Sequence, residues 1–136
     1  MGCVLIVDDS KTEIKFITKI LENIGYEVDY ALNGEEGVQK TKELQPDLVL
    51  MDVIMPGKIN GYQATRQITS SPDTQSIPVV IVSALKTEHE RAWGKMMGAT
   101  GYLTKPFKES ELLEEIKKQL NPLKNTSNTQ STIFKI

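Results

Sequence analysis

At 136 residues, 39% of them hydrophobic, the chain has room for one well-buried core and too little for two ordinary domains. Its 16 Lys and Arg stand against 18 Asp and Glu, and a formal charge of -2 excludes a direct nucleic-acid binder held to the phosphate backbone by a broad basic field. The single cysteine, Cys3, excludes an internal disulfide; with no run of ~18 apolar residues and no basic segment leading into an apolar signal core, a soluble cytoplasmic protein without membrane insertion is expected.

Short apolar runs alternate with longer amphipathic stretches, the pattern of a parallel sheet with crossover helices on both faces. Cys3 to Val7 reads as the first strand, its thiol a buried and unreactive one. Ile14, Ile17, Ile20, Leu21 and Ile24 then repeat at helical spacing, and Gly25 marks the stop. Glu27 to Ala31 is the second strand. The second helix is expected from about Glu35 to Leu44, because a residue preceding Pro46 resists helical torsions. Leu48 to Met51 is the third strand, Tyr62 to Thr69 the third helix, and Ser70 to Asp73 the loop after it. Val79 to Val82 is the fourth strand. The fourth helix spans Thr87 to Met97, with Ala92, Met96 and Ala99 spaced to face the sheet and Gly98 closing it. After a fifth strand, Gly101 to Leu103, the last helix begins near Ser110 and buries Leu112, Leu113, Ile116 and Leu120. Beyond it Asn121-Pro122 breaks the helix and Lys124 to Thr132 is almost wholly polar, so a domain of residues 1–120 is followed by a flexible tail, 121–136, whose Ile133-Phe134-Lys135-Ile136 is a candidate docking peptide.

In an open parallel sheet, ligands sit beyond the carboxyl ends of the strands. Those ends are polar here: Asp8-Asp9-Ser10, Asp52, Ser83-Ala84 and Thr104-Lys105-Pro106. Three carboxylates, a hydroxyl and an ammonium would share one crevice. Crowded carboxylates raise a pKa or require a cation, and oxygen ligands of this kind suit Mg²⁺. A carboxylate is also a nucleophile toward phosphorus, and Asp52, ending a central strand, is the best placed. Lys105 would pair with one phosphoryl oxygen and the Ser83 hydroxyl would hydrogen-bond another. Each residue alone has a plainer reading: Asp8-Asp9 as a turn or helix cap, Ser83 as the cap of the fourth helix, Lys105 as a solvated charge, Tyr102 as a packed aromatic. His89, between Glu88 and Glu90, reads as a solvated helix residue, and Trp93 as a partly exposed interface anchor.

The ordered set LIVDDS, LVLMDVIMP, VVIVSA and GYLTKPF resembles the receiver domain of two-component response regulators over roughly residues 3 to 120. The resemblance implies an α/β, doubly wound, flavodoxin-like (CheY-like) fold with strand order 2-1-3-4-5. It implies that Asp52 is the phosphoacceptor, that Asp9, Asp52 and the carbonyl of Ile54 are direct Mg²⁺ ligands, and that Asp8 holds metal-bound water. Ser83 resembles the hydroxyl that moves toward the phosphoryl group, Tyr102 the aromatic that rotates inward behind it, and Lys105 the family lysine, with a cis Lys105-Pro106 bond. Two departures stand out. Nine positions separate Asp52 from Gly61, one more than the family's usual spacing, with Gly57-Lys58-Ile59-Asn60 enlarging the loop; and Ile54 is apolar where some receivers carry a polar side chain that positions water.

MDVIMPG, GYQATRQIT and RAWGKMMGATGYLTKPF are most similar to single-domain regulators of type IV pilus twitching motility (PilH type), with the chemotaxis receiver next. The implied partners are a histidine kinase as phosphoryl donor and a downstream protein of a motility or chemotaxis system. The output face would be helix four, strand five and helix five, carrying Glu88, Arg91, Lys95, Tyr102, Glu115 and Lys118. The expected protein is a signalling phosphoacceptor and not an enzyme. An aspartyl-phosphate phosphatase or phosphotransferase is the rival of another class, but enzymes of the haloacid-dehalogenase type usually place a second acid where this chain has Ile54. A flavin binder would want a Gly, Ser and Thr-rich phosphate loop where Asp8-Asp9 would repel phosphate.

Overall fold

A computed structural model describes residues 2–120, so the tail and its docking peptide lie outside the described residues. Five strands, β1 (Cys3–Val7), β2 (Glu27–Ala31), β3 (Leu48–Met51), β4 (Val79–Ser83) and β5 (Gly101–Thr104), alternate with five helices. These are α1 (Lys11–Asn23), α2 (Gly34–Leu44), α3 (Gly61–Thr69), α4 (Glu88–Met96) and α5 (Glu109–Leu120). All neighbouring strands are parallel, in the expected order β2-β1-β3-β4-β5. Because successive strand residues point to opposite faces, Val4 and Ile6 pack under α1 and α5 with Leu112 and Ile116, while Leu5 and Val7 pack against Val38 of α2 and Ala64 and Ile68 of α3. β2 is an outer strand, and the Lys40 ammonium of α2 covers part of it, donating to the Tyr30 carbonyl at 2.6 Å and pairing with Asp29 at 3.3 Å.

Helix starts follow local chemistry. Ser10, Asn33, Asn60 and Thr87 each accept a hydrogen bond from a backbone N–H in the first turn, and Asn60-Gln63 and Thr87-Glu90 form capping boxes. Gly25 and Gly98 leave their helices at φ 96° and 100°, as expected of closing glycines. Ile24, expected in the buried stripe of α1, instead sits exposed at its C-cap. α5 begins at Glu109, near Ser110 as expected, but the serine is not its cap: the Glu111 carboxylate reaches back to accept from the Lys108 N–H at 2.7 Å. Cys3 is half-buried; burial, then Glu27, Asp29 and Asp47, push its thiol up, which suits an unreactive group.

The face of α4 is the main correction. Ala92 is exposed and Met96 is 72% exposed, whereas Gly94 is the buried residue of the helix. A Cβ on Gly94 would lie 2.9 Å from Ile81 Cδ1 and 3.4 Å from the Tyr102 ring, so any larger residue would make the Ile81 side chain give way for α4 to approach the sheet this closely. Gly94 and Met97 turn inward in place of Ala92 and Met96, while Ala99, just past the helix, packs against the Val53, Tyr62 and Ile81 cluster as expected.

α3 begins just as tightly. The Gly61 N–H donates to Val53 O at 2.9 Å, and a Cβ on Gly61 would collide with the backbone carbonyl of Asp52. Gly61→Ala is therefore expected to cost about 1–3 kcal/mol in urea unfolding, with the loss traced to displacement of α3; an unchanged midpoint would show that this approach is not needed.

Candidate phosphoryl site at the carboxyl edge of the sheet

The polar residues that follow β1, β3 and β5 meet at one edge. Sheet-like hydrogen bonds continue past the strands and hold the loops there: Asp8 N–H donates to Ala31 O at 3.0 Å, Asp52 N–H to Val7 O at 2.9 Å, and Lys105 N–H to Ser83 O at 2.8 Å. The Lys105-Pro106 bond is cis, as expected. Asp8 is buried, with one carboxylate oxygen accepting from the Ser10 N–H at 2.9 Å and the other 3.1 Å from Lys105 Nζ. Asp52 accepts from the Val53 N–H at 2.8 Å and lies 3.7 Å from the same ammonium. Asp8, Asp9 and Asp52 each bring an oxygen within 4.8 Å of the others, and they form the only such acidic cluster among the described residues.

One ammonium therefore pairs with two of the three clustered carboxylates. Burial pushes the Asp52 carboxyl up to about 6, with Asp8 and Asp9 adding to the rise and Lys105 and the Val53 N–H opposing it. Burial alone would lower Lys105, but Asp52 and then Asp8 outweigh it and hold the ammonium above its ordinary range. All-oxygen donors with excess negative charge match the preference of Mg²⁺ for one or two carboxylates plus retained water, so these residues fit that ion.

The remaining expected residues divide. Ser83 is buried at the end of β4, and its hydroxyl accepts from the Leu85 N–H at 3.1 Å. It does not cap α4; Thr87 does. Tyr102 is half-buried, donates to Leu85 O at 2.6 Å, and lies under the Arg91 guanidinium, 5.1 Å from the ring centroid. Ser83 and Tyr102 thus hold opposite sides of one residue, Leu85, which no sequence motif marks. Ile54 projects into solvent, 67% exposed. The enlarged loop is pinned by a residue the sequence reading missed: Glu35 at the start of α2 accepts from the Lys58 N–H at 2.8 Å, and Gly57, at φ 111°, passes too close to that carboxylate for a Cβ.

On the expected output face, Glu88, Arg91, Lys95 and Lys118 are exposed, and a cleft of about 430 Å³ opens between Arg91, Lys95 and β5. Glu115 is not free: its side chain is 13% exposed and accepts from Gln119 Nε2 at 2.8 Å, so it contributes less to that face than expected. His89 is exposed, as expected, and Trp93 is 49% exposed against Tyr62.

The raised Asp52 pKa has a sign. Between about pH 4 and pH 6 the unfolded chain has lost this proton and the folded protein keeps it, so folding stability falls as pH rises through that window. In Mg²⁺-free buffer, Asp52→Asn is expected to match wild type near pH 4 and to exceed it by on the order of 2–3 kcal/mol near pH 8. Urea titrations at both pH values check this, and an equal gain at both would remove ionisation of Asp52 as the cause.

A profile described as the response regulator receiver domain matches residues 4–117. Protein PilH of Pseudomonas aeruginosa is 49% identical over 116 residues, covering 85% of this chain and 95% of PilH. The structure of Vibrio cholerae chemotaxis protein CheY4 is 30% identical, with a TM-score of 0.82 over 88% of this chain and 99% of that one. The receiver domain of a sensor histidine kinase from P. aeruginosa PAO1, 28% identical with a TM-score of 0.81 over 88% of this chain and 98% of its own, carries a magnesium ion coordinated in its active-site cleft. Profile, sequence relatives, strand order and acidic cleft agree: the chain belongs to the response regulator receiver domain family.

Proposed function

We propose that the protein is a cytoplasmic single-domain response regulator, which takes a phosphoryl group from a histidine kinase onto Asp52 and signals by a phosphorylation-dependent protein contact, in control of type IV pilus twitching motility. The observation that carries the reading is the convergence of Asp8, Asp9 and Asp52 at the carboxyl edge of the sheet, with Lys105 paired to Asp8 and Asp52. Similarity to PilH supports the motility assignment, and similarity to CheY4 keeps a chemotaxis-type output as the alternative.

In this reading an Asp52 carboxylate oxygen attacks the phosphohistidine phosphorus, the P–N bond breaks, and its electron pair leaves with the imidazole. Asp9, Asp52 and the Ile54 carbonyl would hold Mg²⁺ directly, with Asp8 behind a bound water; the ion would neutralise charge on the transferring group. Lys105, already within 3.7 Å of Asp52, pairs with a phosphoryl oxygen. Ser83 uses its hydroxyl oxygen as an acceptor for Leu85, which leaves its proton free to donate to another phosphoryl oxygen. Moving Ser83 toward that oxygen pulls on Leu85 and so on Tyr102, changing the face made by α4, β5 and α5. The basic rim of Arg91 and Lys95 suits a partner with acidic side chains.

Incubation with acetyl phosphate and intact-mass measurement should give one phosphoryl adduct that requires Mg²⁺ and is absent in Asp52→Asn; a folded wild type that takes no adduct from either acetyl phosphate or a purified histidine kinase would refute the reading. Because Ile54 is apolar and cannot orient water, Ile54→Asn should shorten the adduct's lifetime several-fold, followed as loss of adduct mass with time. An unchanged lifetime would show that this position does not control hydrolysis.

A further inference from the structure

Tyr62, at the start of α3, has no part in the phosphoryl chemistry, yet it touches both moving parts of the switch proposed above. Its ring is buried with Val53 and Ile81, and Tyr102 packs against that cluster. Its hydroxyl lies 3.3 Å from the Tyr102 hydroxyl and 3.1 Å from the backbone oxygen of Glu90 in the first turn of α4. Trp93, the only tryptophan, sits tilted against the Tyr62 ring with centroids 6.2 Å apart.

Proton accounting makes this arrangement informative. The carbonyls of Leu85 and Glu90 only accept, so the two phenols bring two protons to this corner. Tyr102 gives its proton to Leu85 O, the shortest of these bonds at 2.6 Å. The Tyr62 proton is then divided between Glu90 O and the Tyr102 oxygen. If Tyr102 leaves, Tyr62 still has Glu90 O, and no buried hydroxyl is stranded. A buried hydroxyl without that second acceptor would resist release, since an orphaned polar group is costly.

We infer that the Tyr62 hydroxyl is a releasable latch: a positioning residue that favours the packed position of Tyr102 and couples it to α4. The inference rests on the reading of Tyr102 as the switch aromatic, but its test does not need phosphorylation. Tyr62→Phe keeps the ring and removes the hydroxyl. It deprives Glu90 O of a donor whichever position Tyr102 takes, and costs a Tyr102 bond only when that ring is packed. One neutral hydrogen bond lost from one state shifts the balance about two- to tenfold toward the unpacked ring.

The experiment uses full-length protein labelled with 3-fluorotyrosine, in which the Tyr102 ¹⁹F signal is identified through Tyr102→Phe and its broadening by a soluble paramagnetic agent reports exposure. Tyr62→Phe should raise that broadening about two- to tenfold; unchanged broadening overturns the latch. A double-mutant cycle on Trp93 fluorescence supplies the second test. Tyr62→Phe removes the bond to Glu90 O in both backgrounds, so its effect on emission should differ between wild type and Tyr102→Phe only by the lost hydroxyl pair, and the two changes should be non-additive. Fully additive effects would reduce Tyr62 to packing and overturn the coupling. Intact mass after acetyl phosphate and Mg²⁺ treatment scores Asp52 separately, so a protein that takes no adduct removes the phosphoacceptor reading while the ¹⁹F result still decides the latch.

Discussion

The attraction between the Lys105 ammonium and the carboxylates of Asp8 and Asp52 is the contact on which the rest of the site depends. Without it, three acids at one end of a parallel sheet would repel across a few ångströms in a partly desolvated crevice. One cation does not satisfy them all, and burial first, with the neighbouring Asp8 and Asp9 adding to it, leaves the Asp52 carboxyl raised. The same shortage suits the edge to an added cation and a phosphoryl group. Stability withheld from the resting fold is available to ligands that complete the charge set.

Most of the fold was legible because its signals are local. Four-residue and five-residue apolar runs marked β1 and β3, and most of β4, and an isoleucine-rich helical stripe marked α1. The site's charged members were legible for a related reason: each stands directly after a strand, and the topology carries strand ends to one edge. The inward face of α4 was misread because apolar spacing normally identifies it, whereas here Gly94, with no side chain at all, is selected by the closeness of Ile81 and Tyr102. Leu85, Tyr62 and Glu35 carried no readable signal. Two act through tertiary contacts between separate elements, and Leu85 acts through its backbone atoms, which sequence does not distinguish.

Leu85 shows how a small displacement can travel. Its N–H belongs to Ser83 and its carbonyl to Tyr102, so only the peptide groups on either side of one residue separate the hydroxyl at the end of β4 from the aromatic of β5. Close packing on β4 and α4 leaves such a segment few intermediate positions, which favours discrete arrangements over gradual deformation.

The loop between Asp52 and α3 is anchored at its far end by the approach of Gly61 to the Asp52 backbone, and midway by Glu35. The loop is thereby tied both to the strand end that carries Asp52 and to the first turn of α2. Closing a somewhat longer loop between fixed ends adds little entropic cost, so the exposed stretch at Gly57 and Lys58 is where extra length is most easily carried, while Val53, Ile59 and Asn60 on either side of it stay tied to the core and to the start of α3.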